Sequence, residues 1–371
     1  MIYFDHNATH PLSAVARQAW LDATERFIAN ASSPHRLGER AGRALDEARA
    51  RLAGWLGCGE HEIVCTSGAS ESNNTAVAHL AATRDGEAWV SAIEHPCLLA
   101  PVRRYFAKRY RLIPVQRDGV IDLGWLRAEL TRGRPAFVGM MAANNETGVL
   151  QPWREALACC HEHAVPFLCD AAQWLGKLPG AGLGAADFVS GCAHKFGGPA
   201  GVGFLKAPAG LRPLVAGGPQ EEGRRAGTGN VAGVLAMVAA LADRESALDA
   251  VGEKLAIRAQ FEAELTLAVA GSTIVGGSAD RLWNTVSVMM PEIDCRQRWV
   301  VKLDKLGFAV STGSACASGK EDPSHVLSAM GYAPGEAARV LRFSSGWETR
   351  SADWSELLDG VVRAKQELTT A

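Results

Sequence analysis

Three short runs of this sequence carry side chains able to do chemistry. Thr66-Ser67-Gly68-Ala69-Ser70-Glu71 is a turn of small residues between an apolar run and a helical pattern. Such a turn exposes backbone N–H groups, and the helix N-terminus that follows adds a dipole favourable to a phosphate. The same residues would also serve as a plain capped helix start. Asp170-Ala171-Ala172-Gln173 directly follows the apolar run 166–169. That sets an acid at the carboxyl end of a strand, where α/β folds hold ligands, although a helix N-cap is the plainer role. His194-Lys195 comes just past another strand and precedes Phe196-Gly197-Gly198-Pro199. A lysine there is able to form a Schiff base with an aldehyde; in isolation it reads as an exposed side chain on a glycine-rich turn.

Together the three runs form a constellation. A phosphate-binding turn, a strand-end acid and a later lysine are the anchors that pyridoxal 5'-phosphate requires. The acid partners the pyridine nitrogen and keeps the ring an effective electron sink, while the lysine carries the Schiff base and moves protons.

The elements that must position these groups are legible as alternation. Strand candidates cover 62–65, 88–93, 111–115, 136–142, 166–169, 188–191 and 202–206, with helical patterns at 72–82, 97–110, 122–131 and 154–163. Such alternation argues for an α/β domain with a largely parallel sheet. Past a glycine-rich loop at 217–229 the character changes. Residues 232–269 read as long helix, followed by strand-like pieces at 284–290, 308–311 and 340–343 and a terminal helix. A chain of 371 residues exceeds what one core usually serves, so two domains are expected, with a boundary near residue 250.

Composition removes several classes. The net charge is −2 with no long run of Lys or Arg, which speaks against nucleic acid or an anionic membrane surface as partner. The start, MIYFDHNATHPLS, has neither the basic residues nor the apolar stretch of a signal peptide, and no apolar run approaches a membrane span. A cytoplasmic location is the expectation. The nine cysteines are irregularly spaced without a CxxC pair, so most read as small buried hydrophobes. Cys159, Cys160, His161 and His163 cluster at a helix end, where neighbours point in different directions, and no metal is expected there.

With these motifs on the page, the chain resembles a cysteine desulfurase of the NifS/IscS type, within the class V aminotransferase-like group. The resemblance runs almost end to end. It rests on Phe4-Asp5-His6-Asn7-Ala8-Thr9, Ser67-Gly68-Ala69-Ser70-Glu71-Ser72-Asn73-Asn74, Glu94-His95-Pro96, Asn144-Asn145-Glu146, Asp170-Ala171-Ala172-Gln173 and His194-Lys195. It continues in Gly217-Gly218-Pro219-Gln220-Glu221, Arg225-Ala226-Gly227-Thr228, Ser311-Thr312-Gly313-Ser314-Ala315-Cys316 and Arg342-Phe343-Ser344. The resemblance implies the type I fold of pyridoxal-phosphate transferases, aspartate aminotransferase-like. In that α/β fold a large domain (12–250) holds a mostly parallel seven-stranded sheet. A smaller α+β domain (1–11 and 251–371) carries a mobile loop at about 312–324.

Roles follow position by position from the same resemblance. Lys195 matches the Schiff-base lysine, Asp170 the partner of the pyridine nitrogen, and His95 the histidine stacked on the ring. Ala69, Ser70 and His194 match groups at the phosphate, Gln173 the donor to the ring's phenolic oxygen, and Thr228 a threonine reaching the phosphate of a neighbouring subunit. A homodimer with shared sites is therefore implied. Asn145 and Arg342 match the groups that hold the substrate carboxylate, and Asn7 is grouped with them. The chain departs from the pattern at Cys192-Ala193, where Ser-Gly is usual, and a thiol is a weaker donor to phosphate than a hydroxyl. Lesser departures are His10, Thr147 and Gly229.

Cys316 stands in a small, polar, Gly- and Ser-rich stretch that is hard to pack as core and should be mobile. By the resemblance it is the thiol that takes sulfur from L-cysteine as a persulfide, releasing L-alanine, and hands it to an acceptor protein such as one serving iron–sulfur cluster assembly or tRNA thiolation. The run from Cys316 to Pro323-Ser324-His325-Val326-Leu327 has the longer loop of the NifS/IscS group rather than the short SufS-like one. Rival readings are a selenocysteine lyase, another pyridoxal-phosphate lyase or transferase, and a non-catalytic dimeric scaffold or sulfur relay.

Overall fold

The computed structural model describes residues 1–293, 296–312 and 324–369. The chain opens with a short strand, β1 (Ile2–Tyr3), that waits for a partner far downstream. Next come the strands of a seven-stranded sheet: β2 (Ile63–Thr66), β3 (Ala88–Ser91), β4 (Tyr110–Ile113), β5 (Phe137–Met141), β6 (Phe167–Asp170), β7 (Phe188–Cys192) and β8 (Gly203–Lys206). Their order is β2-β8-β7-β6-β5-β3-β4. All neighbours run parallel except β8, which is antiparallel to both β2 and β7. Every strand candidate read from the sequence of this region is present. β2, β3, β5, β6, β7 and β8 are buried on both faces, which is why they read as continuous apolar runs and not as alternation.

Helices cover both sides of the sheet and feed its carboxyl edge. Ala69–Thr83 follows β2, Pro96–Phe106 follows β3, and Trp153–Glu162 precedes β6. Pro96 takes the first helical position and His95 the N-cap, so the chain leaves β3 and turns into a helix at the sheet edge. The long helix expected over 232–269 is two helices, Val231–Ser246 and Val251–Ala268, with the single 3-10 turn Leu248–Ala250 between them. The break has a packing cause. Val234, Met237 and Leu241 join the core of the large sheet, whereas Phe261 and Leu265 join a different cluster with Val286, Trp299 and Phe343. One straight rod cannot face both.

That second cluster surrounds β9 (Thr273–Ile274), β10 (Thr285–Met289) and β12 (Val340–Ser344), an antiparallel sheet in the order β12-β10-β9. β11 (Phe308–Ala309) pairs in parallel with β1, and the helix Ser351–Thr369 closes the chain. Among the described residues no helix is long and apolar enough to cross a membrane.

Candidate active site

The carboxyl ends of β2, β5, β6 and β7 open onto a cavity of about 470 Å³. Asn7, Ala69, Ser70, His95, Asn145, Asp170, Gln173, Cys192, His194, Lys195 and Arg342 all line it. Of the residues singled out from the sequence, Thr228 lies elsewhere, exposed in the turn before the helix Val231–Ser246. Cys316 falls outside the described residues.

On one side the cavity meets the start of the helix Ala69–Thr83. Gly68 is its N-cap, with φ +150°. Gly68 has no side chain to cap the first turn; the Ala69 amide meets the Cys192 thiol, and the start of the helix stands open to an anion at the positive end of its dipole. Glycine is also required across the way. A Cβ on Gly203 would lie 2.4 Å from the Gly191 carbonyl oxygen and 2.5 Å from the Gly68 Cα, so the turn can sit against β8 only without one. Cys192 ends β7 beside this turn, and burial raises its thiol to about 11 against the opposing pull of Lys195. It faces the anion site as a neutral thiol.

Asp170, the last residue of β6, is buried and held by donors. Its Oδ1 accepts from the Ala172 backbone at 2.9 Å and its Oδ2 from Asn73 Nδ2 at 2.8 Å, with the Cys97 thiol donating at 3.6 Å. His95 Nδ1 accepts from the Cys97 amide at 3.1 Å, which leaves the ring proton on Nε2. Burial lowers the His95 pKa, Asp170 pulling the other way. The ring is therefore a neutral plate, able to stack on a flat ligand.

Lys195 points its Nζ at the Asn7 and Ala8 carbonyl oxygens, 2.6 and 2.8 Å away. His194 has its pKa lowered to about 4 by burial and then by Lys195, so it too is neutral near pH 7. Its carbonyl accepts from the His10 amide at 2.7 Å, which ties the N-terminal segment to the lysine. At the opposite wall Arg342, buried in β12, pairs with Asp5 at 2.6 Å and donates to the Asn145 carbonyl at 2.9 Å. Asn144 shapes the turn that presents Asn145 by accepting from the amides of Glu146 and Thr147.

Four residues of the site carry no sequence-based expectation of a role. Asn73 and Cys97 orient Asp170 as above. Glu94 is wholly buried and accepts from the Met141 amide at 2.7 Å; burial raises its pKa well above the carboxylate range. Lys177 donates to Asn7 and Gln173. Asn73 and Glu94 stand inside runs that carry the family resemblance, and Lys177 is four residues beyond Gln173. Cys159, Cys160, His161 and His163 face different partners, with His161 on Asp187 and His163 on the Cys159 carbonyl. Among the described residues no group of three or more such side chains is placed to hold a metal ion.

The arrangement offers an anion site at a helix start, an oriented carboxylate, a neutral imidazole plate and an amine around one space. That donor set fits a flat, phosphate-bearing group with an aldehyde, such as pyridoxal 5'-phosphate. Comparison with known proteins points the same way. Residues 2–357 match the family Aminotransferase class-V. The chain is similar to a cysteine desulfurase of Gluconacetobacter diazotrophicus, 36% identical over 99% of this chain and 95% of that protein. Among solved structures it is similar to a NifS-like protein, with TM-score 0.89, 28% identity and 99% of both chains covered. It is also similar to SspA in complex with cysteine, with TM-score 0.79, 29% identity, 93% of this chain and 98% of that one.

Proposed function

Because the chain belongs to the class-V aminotransferase family, we infer that it is a pyridoxal-phosphate-dependent cysteine desulfurase. L-cysteine and the Cys316 thiol give L-alanine and a Cys316 persulfide: the C–S bond of the substrate breaks, an S–S bond forms, and the proton balance closes without an external oxidant. The observation that carries this reading is Lys195 Nζ and the Asp170 carboxylate on the walls of one cavity, beside an open helix start.

Bound there, pyridoxal phosphate would supply an electron sink for charge developing at the substrate's α-carbon. The residues of the chain do the rest. The amides of Ala69 and Ser70 bind the phosphate, and Asp170 holds a proton on the pyridine nitrogen. His95 covers the ring face and keeps water from it. The Lys195 amine takes the α-proton and returns it, a role that suits its short tether to two carbonyls. Arg342 and Asn145 orient the substrate carboxylate, Arg342 by a forked contact. The Cys316 thiolate attacks the substrate sulfur, and thiol exchange passes the persulfide on.

The same reading makes the enzyme a cytoplasmic homodimer that serves a sulfur-acceptor protein, with exposed Thr228 completing the phosphate site of the neighbouring subunit. It assigns residues 12–250 to a large cofactor-binding domain and 1–11 with 251–371 to a small one; the separate cluster of Phe4, Phe261, Trp299, Phe343 and Trp354 supports that division.

The test is a visible spectrum with added pyridoxal phosphate, followed by alanine and sulfide measurement with L-cysteine and an excess of a dithiol reductant, which reduces the persulfide and frees its outer sulfur as sulfide. A visible band and equimolar products are expected; no band at neutral pH sinks the reading. Cys316→Ala should keep the band and lose sulfide release by at least about 100-fold, while Lys195→Ala should lose the band itself.

A further inference from the structure

Lys177 follows Gln173 by four residues and is 4% exposed, a costly place for a lysine. Its Nζ donates to Asn7 Oδ1 at 3.0 Å and, at closer range, to Gln173 Oε1. Both acceptors are neutral amides. Burial, with Lys195 and then Arg342 nearby, holds the Lys177 pKa well below the usual lysine range.

The chemistry of the Gln173 side chain makes this contact consequential. A glutamine amide has two ends of nearly equal shape, one accepting and one donating, and only its partners decide which faces where. Here Oε1 is turned onto Lys177. The NH2 end is therefore on the other side, where one N–H goes to the Asn7 carbonyl at 2.9 Å. The second N–H remains for the cavity that Gln173 lines. The same Asn7 carbonyl accepts from Lys195, so amide and amine are set against a common point.

We propose that Lys177 is a positioning residue for the cofactor: it pins the Gln173 amide so that a donor, never an acceptor, faces the ring oxygen of bound pyridoxal phosphate. This rests on the cofactor assignment made above. Without Lys177 only the Asn7 carbonyl holds the amide's orientation, and its half-turned form would set Oε1 against an oxygen that carries negative charge. A donor favours the ionised form of that oxygen and eases loss of the proton it shares with the neighbouring nitrogen, so losing the donor raises the pH at which that proton leaves.

The experiment is a pH titration of the visible absorbance of the full chain loaded with pyridoxal phosphate. It compares the unaltered protein, Lys177→Met, Gln173→Ala and the double variant. Each single change should raise the midpoint by about one pH unit, a tenfold change in proton affinity, and the double should match the singles because both act through one hydrogen bond. An unmoved midpoint in Lys177→Met overturns the proposal. So does a double variant whose shift is the sum of the singles, since Lys177 would then act by its own charge. Should Lys177→Met not fold, Gln173→Glu decides. It removes the donor and gives the buried lysine a counter-ion, so the titration midpoint should rise while the thermal midpoint holds or climbs. An unmoved titration midpoint in Gln173→Glu overturns the proposal. Absence of any visible band from the unaltered protein with added cofactor overturns the cofactor reading and this proposal together; a band with an unmoved midpoint overturns this proposal alone.

Discussion

Asp170 is held in place by side chains remote from it in sequence: Asn73 donates to one carboxylate oxygen, and Cys97 stands behind it. Asn73 is fully buried, so water cannot take its place at no cost, whereas Cys97 borders the cavity. Asn73→Ala should therefore cost roughly 1–3 kcal/mol of stability, read by urea denaturation, and should weaken cofactor retention, read by dialysis against buffer. An Asn73→Ala protein with unchanged denaturation midpoint and retention would remove Asn73 from the site. At this scale the sequence was legible where a residue's type alone restricts its chemistry. Lys195, Asp170 and His95 have side chains suited to the roles that the family resemblance assigns them, and all three line one cavity. Asn73, Cys97 and Lys177 act by orienting others, and their type says nothing until a partner is beside them.

Among the elements, the strands of the large sheet were readable because burial on both faces leaves unbroken apolar runs. What could not be read was the direction of β8, since hydrophobic pattern carries no polarity. Its antiparallel insertion between β2 and β7 brings Gly203 against Gly191 and Gly68. Gly203→Ala forces a methyl into backbone atoms that have no rotamer to yield with. It should destabilise the fold by at least about 2 kcal/mol, and it should weaken pyridoxal phosphate binding tenfold or more by displacing the helix start. Thermal denaturation and equilibrium dialysis check the two halves separately, and normal cofactor affinity in a folded Gly203→Ala protein would contradict the described fit. The division of 231–268 into two helices was hidden for a different reason. Helical periodicity continues through the turn, and only the change of core on either side shows where the chain bends.

For the whole molecule, acid is the revealing condition. Burial lowers His6 to about 3 and His194 to about 4, so the unfolded chain takes up protons below its ordinary imidazole pKa that the folded chain refuses. Glu348, depressed by His10 and Arg244 against the opposing effect of burial, adds a carboxylate whose stabilisation fades as pH falls. All three have the same sign in different windows: the histidine contributions are full above about pH 6.5 and fade toward pH 4, and that of Glu348 fades only below about pH 4.5. His6 alone accounts for up to about 2 kcal/mol by pH 5, and a urea midpoint equal at pH 7.5 and 5 would contradict these burials. None of this was visible in the sequence, because the groups meet across the fold.

The N-terminal segment carries a last consequence. Asn7 receives Asn284, β1 pairs with β11, and Asp5 pairs with Arg342. The Asn7 and Ala8 carbonyls that hold Lys195 are made long before Arg342, which lines the same cavity. The cavity therefore cannot close until β12 has been made. Chemistry at Lys195 thus depends on a backbone segment roughly 190 residues earlier in the chain.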